Sequence, residues 1–335
     1  MLNRRDFLKG VAITGVALTY GDFALGAIKK DSMDVLLFPV TVDGKDGYIN
    51  SKGTVVIKAQ FDRGGVFSEG LAAIRMGDKY GYIDKKGTMT IEPKFKDAYP
   101  FYEGFAAVVF SADKKWGYID KAGRVAIKPQ FDEAWCFSEG LSAVAIERRW
   151  GYIDKVGRVA IKPQFEGAWD FLEGLARVVI KDRCGYIDKA ERIVIKPQFD
   201  EACPFSEGLG SIAINGKWGC IDKEGQMVIK PQSDSPIGFS DGLACINVAN
   251  KWGFINKKEQ IIIKPQFDFA SDFVNGLAPV KRNGKYGFID MTGDFVIAPK
   301  YDYAHSFKNG LAHVGMNQKW GYIDMTGKYV WEPTA

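Results

Sequence analysis

Histidine is almost missing from this chain: 335 residues contain only His305 and His313. Imidazole-based acid–base pairs and His-rich metal sites therefore have next to no material. Neither histidine is accompanied by a serine nucleophile elbow or a metal-binding spacing, so both are read as rim residues. The five cysteines, Cys136, Cys184, Cys203, Cys220 and Cys245, form no C-x-x-C pair and no metal-ligand spacing. They leave open one bridge, Cys184 to Cys220, between adjacent copies of a repeat. No glycine loop runs into Lys-Ser or Lys-Thr, which removes a phosphate cradle. No apolar run is long enough to span a bilayer; the longest mild one covers Val11 to Tyr20. Charge of one sign is missing too: 45 basic against 41 acidic residues give a net +4, which is no nucleic-acid footprint. Carboxylates such as Asp120, Asp132 and Glu139 recur as turn and cap residues, and nothing selects a glycosidase pair among them. The expectation is a protein that is not an enzyme, with no cofactor and no metal.

What the chain does have is repetition. An aromatic-Gly dipeptide recurs at Tyr80, Trp116, Trp150, Trp218, Trp252, Tyr286 and Trp320, with Asp46 and Cys184 as variants. The spacing is 34 residues, except for one step of 36 that reflects two extra residues around Ser111 to Lys114. Such a period announces stacked supersecondary units. In the copy at 116–149, Gly123 supplies a tight turn, Val125 and Ile127 alternate as a strand, and Pro129 ends it. Leu141 to Ile146 reads as another strand, and Asn215-Gly216 or Asn283-Gly284 closes the following hairpin in other copies. Each unit is thus an antiparallel meander of three strands, LAxV, WGYID and VxI. Both of its faces are apolar and need neighbours. Phe131, Ala134 and Phe137 mark a connector read as a helical turn or compact loop. Glu191 and Glu259 replace the turn glycine, with a strain of about 1 kcal/mol each if the left-handed conformation is kept.

The fold class expected is all-β. The first and last units are complete in these three strands, so neither terminus lacks one that the other would supply, and nine units exceed the usual propeller blade number. An open, twisted β-array is expected on that ground, with a closed β-propeller-like ring as the alternative.

The pattern KWGYIDKxGxxxIKPQFDxAxxFSEGLAxV resembles the WG-repeat family of bacterial β-repeat proteins, over roughly residues 35 to 333. The resemblance implies an interaction module and carries over no catalytic residue. The N-terminus, with Arg4, Arg5, Phe7, Leu8 and Lys9, resembles a twin-arginine export motif. The domains expected are a signal at 1–27, a linker at 28–34 and nine repeats at 35–335. The implied partner during export is the twin-arginine translocase. The destination is periplasmic or secreted, with no membrane span after signal removal.

Two lysine ladders recur, Lys85, Lys121, Lys155, Lys189, Lys223 and Lys257 in the turn, and Lys128, Lys162, Lys196, Lys230 and Lys264 before proline. Acidic neighbours such as Asp84, Asp120 and Asp154 accompany them, so both ladders read as charged guards of exposed β edges. One connector breaks pattern: Ser233, Asp234, Ser235, Pro236, Ile237 and Gly238 replace the usual Phe-Asp-x-Ala sequence, which singles out a polar binding notch. The function expected is a binding or scaffold protein of the cell envelope, with an unknown protein or an envelope polymer as partner. A carbohydrate-binding or carbohydrate-active protein is the alternative.

Overall fold

Two-residue turns set the path of every copy. Glu147 and Arg148 have φ of 50° and 64°, and Asn215 and Gly216 have 51° and 72°, the primed-turn geometry whose twist suits paired strands. Glu139-Gly140 repeats it at 53° and 89°. Glu191 and Glu259 keep the left-handed conformation of the glycine they replace, at φ 65° and 61°. Each is held by a neighbour: the Glu191 carboxylate accepts from Gln164 at 2.5 Å, and that of Glu259 from Gln232 at 2.7 Å.

The computed structural model describes residues 36–110 and 114–334. The motif Arg4, Arg5, Phe7, Leu8 and Lys9, the linker 28–34 and the insertion at Ser111 lie outside the described residues. Nine sheets follow one another: blade 1 (37–61), blade 2 (63–95), blade 3 (97–131), blade 4 (133–165), blade 5 (167–199), blade 6 (201–233), blade 7 (239–267), blade 8 (269–301) and blade 9 (303–334). Blades 2 to 9 have four strands, ordered as in the chain; blade 1 shows three. The fourth strand lies in the connector that the sequence presents as a helical turn or loop. In blade 4 it is Glu133–Ala134, paired with Ala145 and Val144. Among the described residues no helix is long and apolar enough to cross a membrane.

The signature glycine has a geometric cause. In blade 4, Trp150 pairs with Phe165, Tyr152 with Ile161 and Ile153 with Val159, with a register shift at each step. The outer strand therefore does not end at its proline but bulges through it. A bulge tolerates a residue without an N–H, and it crowds the strand beside it. A Cβ on Gly151 would lie 2.5 Å from Ile161 O and 2.6 Å from Pro163 N.

Blades stack through both faces of the WGYID strand. Tyr118 of blade 3 shares one cluster with Phe131 at the end of its own blade and with Ala134, Phe137, Val144 and Ile153 of blade 4. Its hydroxyl donates to Trp135 O at 2.9 Å, as Tyr82 does to Tyr99 O and Tyr152 to Trp169 O.

The array is a nine-bladed propeller, which corrects the expected open array. Phe38, Val40 and Ile49 of blade 1 share a cluster with Leu311 and Tyr322 of blade 9, with Val330 and Trp331 against it. Tyr322 OH donates to Pro39 O at 2.9 Å. Gly53 of blade 1 lies against Val330 as Gly87, Gly123 and Gly157 lie against an isoleucine of the preceding blade. Complete terminal units exclude a ring only where closure needs a shared strand. Here the end blades close face to face, through the same apolar packing that joins every other pair, so no strand has to be exchanged.

Candidate functional site

The short-strand edges of neighbouring blades touch one another. Ser68, Ser138 and Ser240 hydroxyls donate to Phe101, Phe171 and Phe273 carbonyls at 2.6 to 2.7 Å. The opposite edges present exposed Val125, Val159, Ile193 and Ile261 to solvent. The blades therefore converge on the short strands, which form the inner edge of the ring.

One lysine ladder joins the blades on the side of the Glu-Gly turns. Lys121 pairs with Glu69, Lys155 with Glu103, Lys189 with Glu139, Lys223 with Glu173 and Lys257 with Glu207, at 3.0 to 3.1 Å. The same carboxylates accept from the glycine N–H of the next blade, as Glu69 does from Gly104 and Glu103 from Gly140. This corrects the edge-guard reading of that ladder. Asp120 is occupied in its own turn, by the N–H groups of Ala122 and Arg124. Met291 and Met325 stand in the lysine slot of blades 8 and 9, so the latch does not run the whole way round. At this exposure each ion pair contributes at most about 1 kcal/mol. The second ladder, Lys128, Lys162, Lys196, Lys230 and Lys264, lies exposed on the outer strands, where charge does guard an edge.

The connector singled out in sequence lies between blades 6 and 7. Ser233 is fully buried, its hydroxyl donating to Ser235 O and accepting from Ser235 N. Asp234 is ion-paired with Lys217. Ile237 is buried against Trp218 and Phe239, while Pro236 and Gly238 are exposed and Ser235 half-buried. The five thiols are free, and Cys220 faces Ile237 O at 3.6 Å; Cys184 and Cys220 are not bridged.

Sequence reading passed over a different set of positions. Two slots on the inner edge change their residue type from blade to blade. One holds Gly65, Tyr99, Trp135, Trp169, Cys203, Ile237, Ser271 and His305, and the other Ala73, Ala107, Ala143, Arg177, Ser211, Cys245, Pro279 and His313. In blades 3 to 5, 8 and 9 the main chain ties the slots together: N–H groups of Tyr99, Trp135, Trp169, Ser271 and His305 donate to the carbonyls of Ala107, Ala143, Arg177, Pro279 and His313. Aligning the copies and looking for slots that vary would have found them.

These residues make one side of the ring aromatic. Tyr99 stacks on Trp116 at 5.0 Å and on Trp135 at 5.9 Å, and Trp135 stacks on Trp150 at 6.5 Å. Their faces are turned to one another rather than outward. Arg177 closes the row, its guanidinium carbon 3.2 Å above the Trp169 ring. Within blade 9, next to the ring seam, His313 stacks on Trp320 at 4.6 Å and on Tyr322 at 4.7 Å, with His305 at 5.9 Å. Among the described residues no group of three or more His, Cys, Asp and Glu is placed to hold a metal ion.

The WG-containing-repeat model matches residues 47–80, 80–111, 116–147, 150–184, 185–218, 218–252, 252–286 and 286–320. The chain belongs to the WG-containing-repeat family. The eight matched repeats run from one aromatic-Gly strand to the next, so each straddles two blades, and the two chain ends supply the rest of the nine-bladed ring. No curated protein matches this WG-repeat chain in sequence. Among solved structures, it is similar to a eukaryotic initiation factor, with a TM-score of 0.65 at 12% identity over 90% of this chain and 96% of that one. A dihydro-heme d1 dehydrogenase, NirN, superposes with a TM-score of 0.49 at 12% identity, over 92% of this chain and 76% of that one. The virginiamycin B lyase of Staphylococcus aureus gives a TM-score of 0.38 at 13% identity, over 78% of this chain and 98% of that one. At such identities the first of these likenesses concerns the fold alone.

His313 offers a pH test of the WG-repeat ring. Burial, followed by the neighbouring His305, pushes its imidazole down to about 4, whereas in the unfolded chain it titrates near its ordinary value of about 6.5. The folded chain therefore binds this proton later than the unfolded one. Stability from neutral His313 is full above about pH 6.5 and is lost as the pH falls to about 4, with an upper bound of about 3 kcal/mol. Asp62 and Asp132, whose lysine partners hold their carboxyls below the usual range, act at lower pH. His313→Ala, the residue of Ala73, is expected to flatten the melting temperature between pH 6.5 and 4. An unchanged slope would show that another group controls it.

Proposed function

We propose that this WG-repeat propeller is an exported, non-enzymatic binding or scaffold protein of the cell envelope, and that the partner lies along its inner edge. One observation carries this reading. Turn glycines, the bulge and the Tyr hydroxyl links recur along the chain, while one inner slot holds Gly, Tyr, Trp, Cys, Ile, Ser or His and the other Ala, Arg, Ser, Cys, Pro or His. A scaffold that repeats except at one strip presents, through the half-buried Gly65, Tyr99, Trp169, Cys203 and Ser271 and the exposed His305, a surface whose chemistry differs around the ring, which suits recognition of one particular partner. Export through the twin-arginine translocase rests on Arg4, Arg5, Phe7, Leu8 and Lys9. A partner held in the envelope is either a protein or a polymer; the mutually stacked rings favour contact with their edges over stacking of a sugar on an open face.

Cross-linking in cells followed by fractionation tests both parts. The chain and its captured partner are expected in the periplasmic fraction. Tyr99→Ser with Trp169→Ser places at two part-buried slots the residue already tolerated at Ser271. This variant is expected to lose the partner while Lys128→Gln with Lys162→Gln on the outer edge keeps it. Lost stacking costs about 0.5 to 1.5 kcal/mol per pair, so Ser271→Trp serves as a second variant that fills the surface without removing a contact. Capture that survives both inner-edge variants would overturn the reading.

A further inference from the structure

Arg177 is out of character with its slot. The equivalent residues are Ala73, Ala107, Ala143, Ser211, Cys245 and Pro279, small or apolar, with His313 at the seam. Here a full guanidinium is 8% exposed. It lies flat on Trp169 at 3.2 Å, and Nη1 donates to Ala202 O. Nε is buried without a partner. Among the described residues no carboxylate lies within ion-pair distance of it. The groups whose negative forms would favour its charge are, in order of effect, Cys184, Cys203, Tyr186 and Glu201; only Glu201 is a carboxylate, and it makes no ion pair with the guanidinium. Burial pushes both thiols up, Cys203 to about 11, so both are neutral near pH 7.

A guanidinium stays protonated under such conditions, and a buried charge without a counter-ion destabilises a fold. The repeat supplies a ready alternative in alanine, found in three other copies. Retaining the cation therefore points to an interaction made only when a ligand is present. The planar N–H fork suits a carboxylate or a phosphate, and stacking on Trp169 fixes its orientation. We infer that Arg177 is an anion-recognition residue, which holds an oxyanion of the ligand at the inner edge where blades 5 and 6 meet. The inference rests on the inner edge being the binding surface and adds the chemical class of what binds.

The chain without its signal is titrated with sodium acetate and with inorganic phosphate, each against sodium chloride at matched ionic strength. Tryptophan fluorescence and melting temperature are the readouts. Saturable binding of acetate marks a carboxylate site and saturable binding of phosphate a phosphate site; either supports the inference. Arg177→Ala is expected to weaken that binding by about tenfold or more. Without ligand the same variant is expected to melt about 2 °C higher, since it removes an unpaired buried charge. Arg177→Lys keeps the charge and loses the fork, and is expected to bind more weakly than wild type; it also serves if the alanine variant does not fold. Two results would overturn the inference: responses to both anions no greater than to chloride, or a fall in melting temperature for Arg177→Ala, which would make the residue structural. Neither touches partner capture by the inner-edge variants, so this inference and the proposed function fail separately.

Discussion

Replacing Phe38 with alanine is expected to cost about 3 to 5 kcal/mol, the range for truncating a buried phenylalanine. Phe38 is 7% exposed and sits edge-on to Tyr322, with ring centroids 5.6 Å apart. Those two residues lie in the first and last blades, so the substitution weakens the one junction that joins the chain ends. In an open array Phe38 would cap a free end, and its loss would cost well under the burial of a whole side chain, about 1 kcal/mol. Chemical denaturation of Phe38→Ala beside Tyr322→Phe tests this. The second variant loses only the 2.9 Å bond to Pro39 O and is expected to cost about 1 kcal/mol. A loss for Phe38→Ala no greater than that of Tyr322→Phe would contradict closure.

The second large effect is expected at the signature glycine. In Gly151→Ala the new methyl would meet Ile161 O at 2.5 Å, Pro163 N at 2.6 Å and the Lys162 carbonyl carbon at 2.8 Å. All three are main-chain atoms of the bulged strand, and none can swing aside as a side-chain tip would. Overpacking of this kind costs about 3 kcal/mol. Gly140→Ala is the matched comparison: nothing lies within 4 Å of its Cβ, but φ is +89°, so conformational strain alone applies, at about 1 kcal/mol. Thermal melts of the two variants should separate clearly. Similar melting temperatures would mean that the bulge relaxes and that the glycine is kept for another reason.

Much of the blade was legible because its signals are local. Asn-Gly and the turn glycines placed the hairpins, and the recurring Phe131, Ala134 and Phe137 marked a cluster that the structure buries to within 3% exposure. Other features were hidden by their size or by a rule applied too simply. Glu133–Ala134 is too short for any periodicity, and Pro129 reads as a strand end unless a bulge beneath a glycine is anticipated. The inner slots were obscured for a different reason. Tyr99, Trp135 and Trp169 differ from copy to copy and so fall outside any recurring motif, although the stacking of Tyr99 on Trp135 and the Arg177 guanidinium over Trp169 distinguish them.

The sequence by itself determined most of the unit: three of its four strands, its turns, its two apolar faces and the family to which the chain belongs. Those properties follow from backbone conformations and side-chain alternation within about 34 residues. Whether the units close was decided only in three dimensions. Each blade packs on the next with a small rotation, and only the sum of these rotations brings Phe38 against Tyr322. No single copy encodes that sum, and face packing joins the ends without leaving a strand unpaired in the sequence. The same closure sets which residues form the inner edge, because side chains 34 to 36 positions apart, such as Tyr99 and Trp135, become neighbours only when the blades converge.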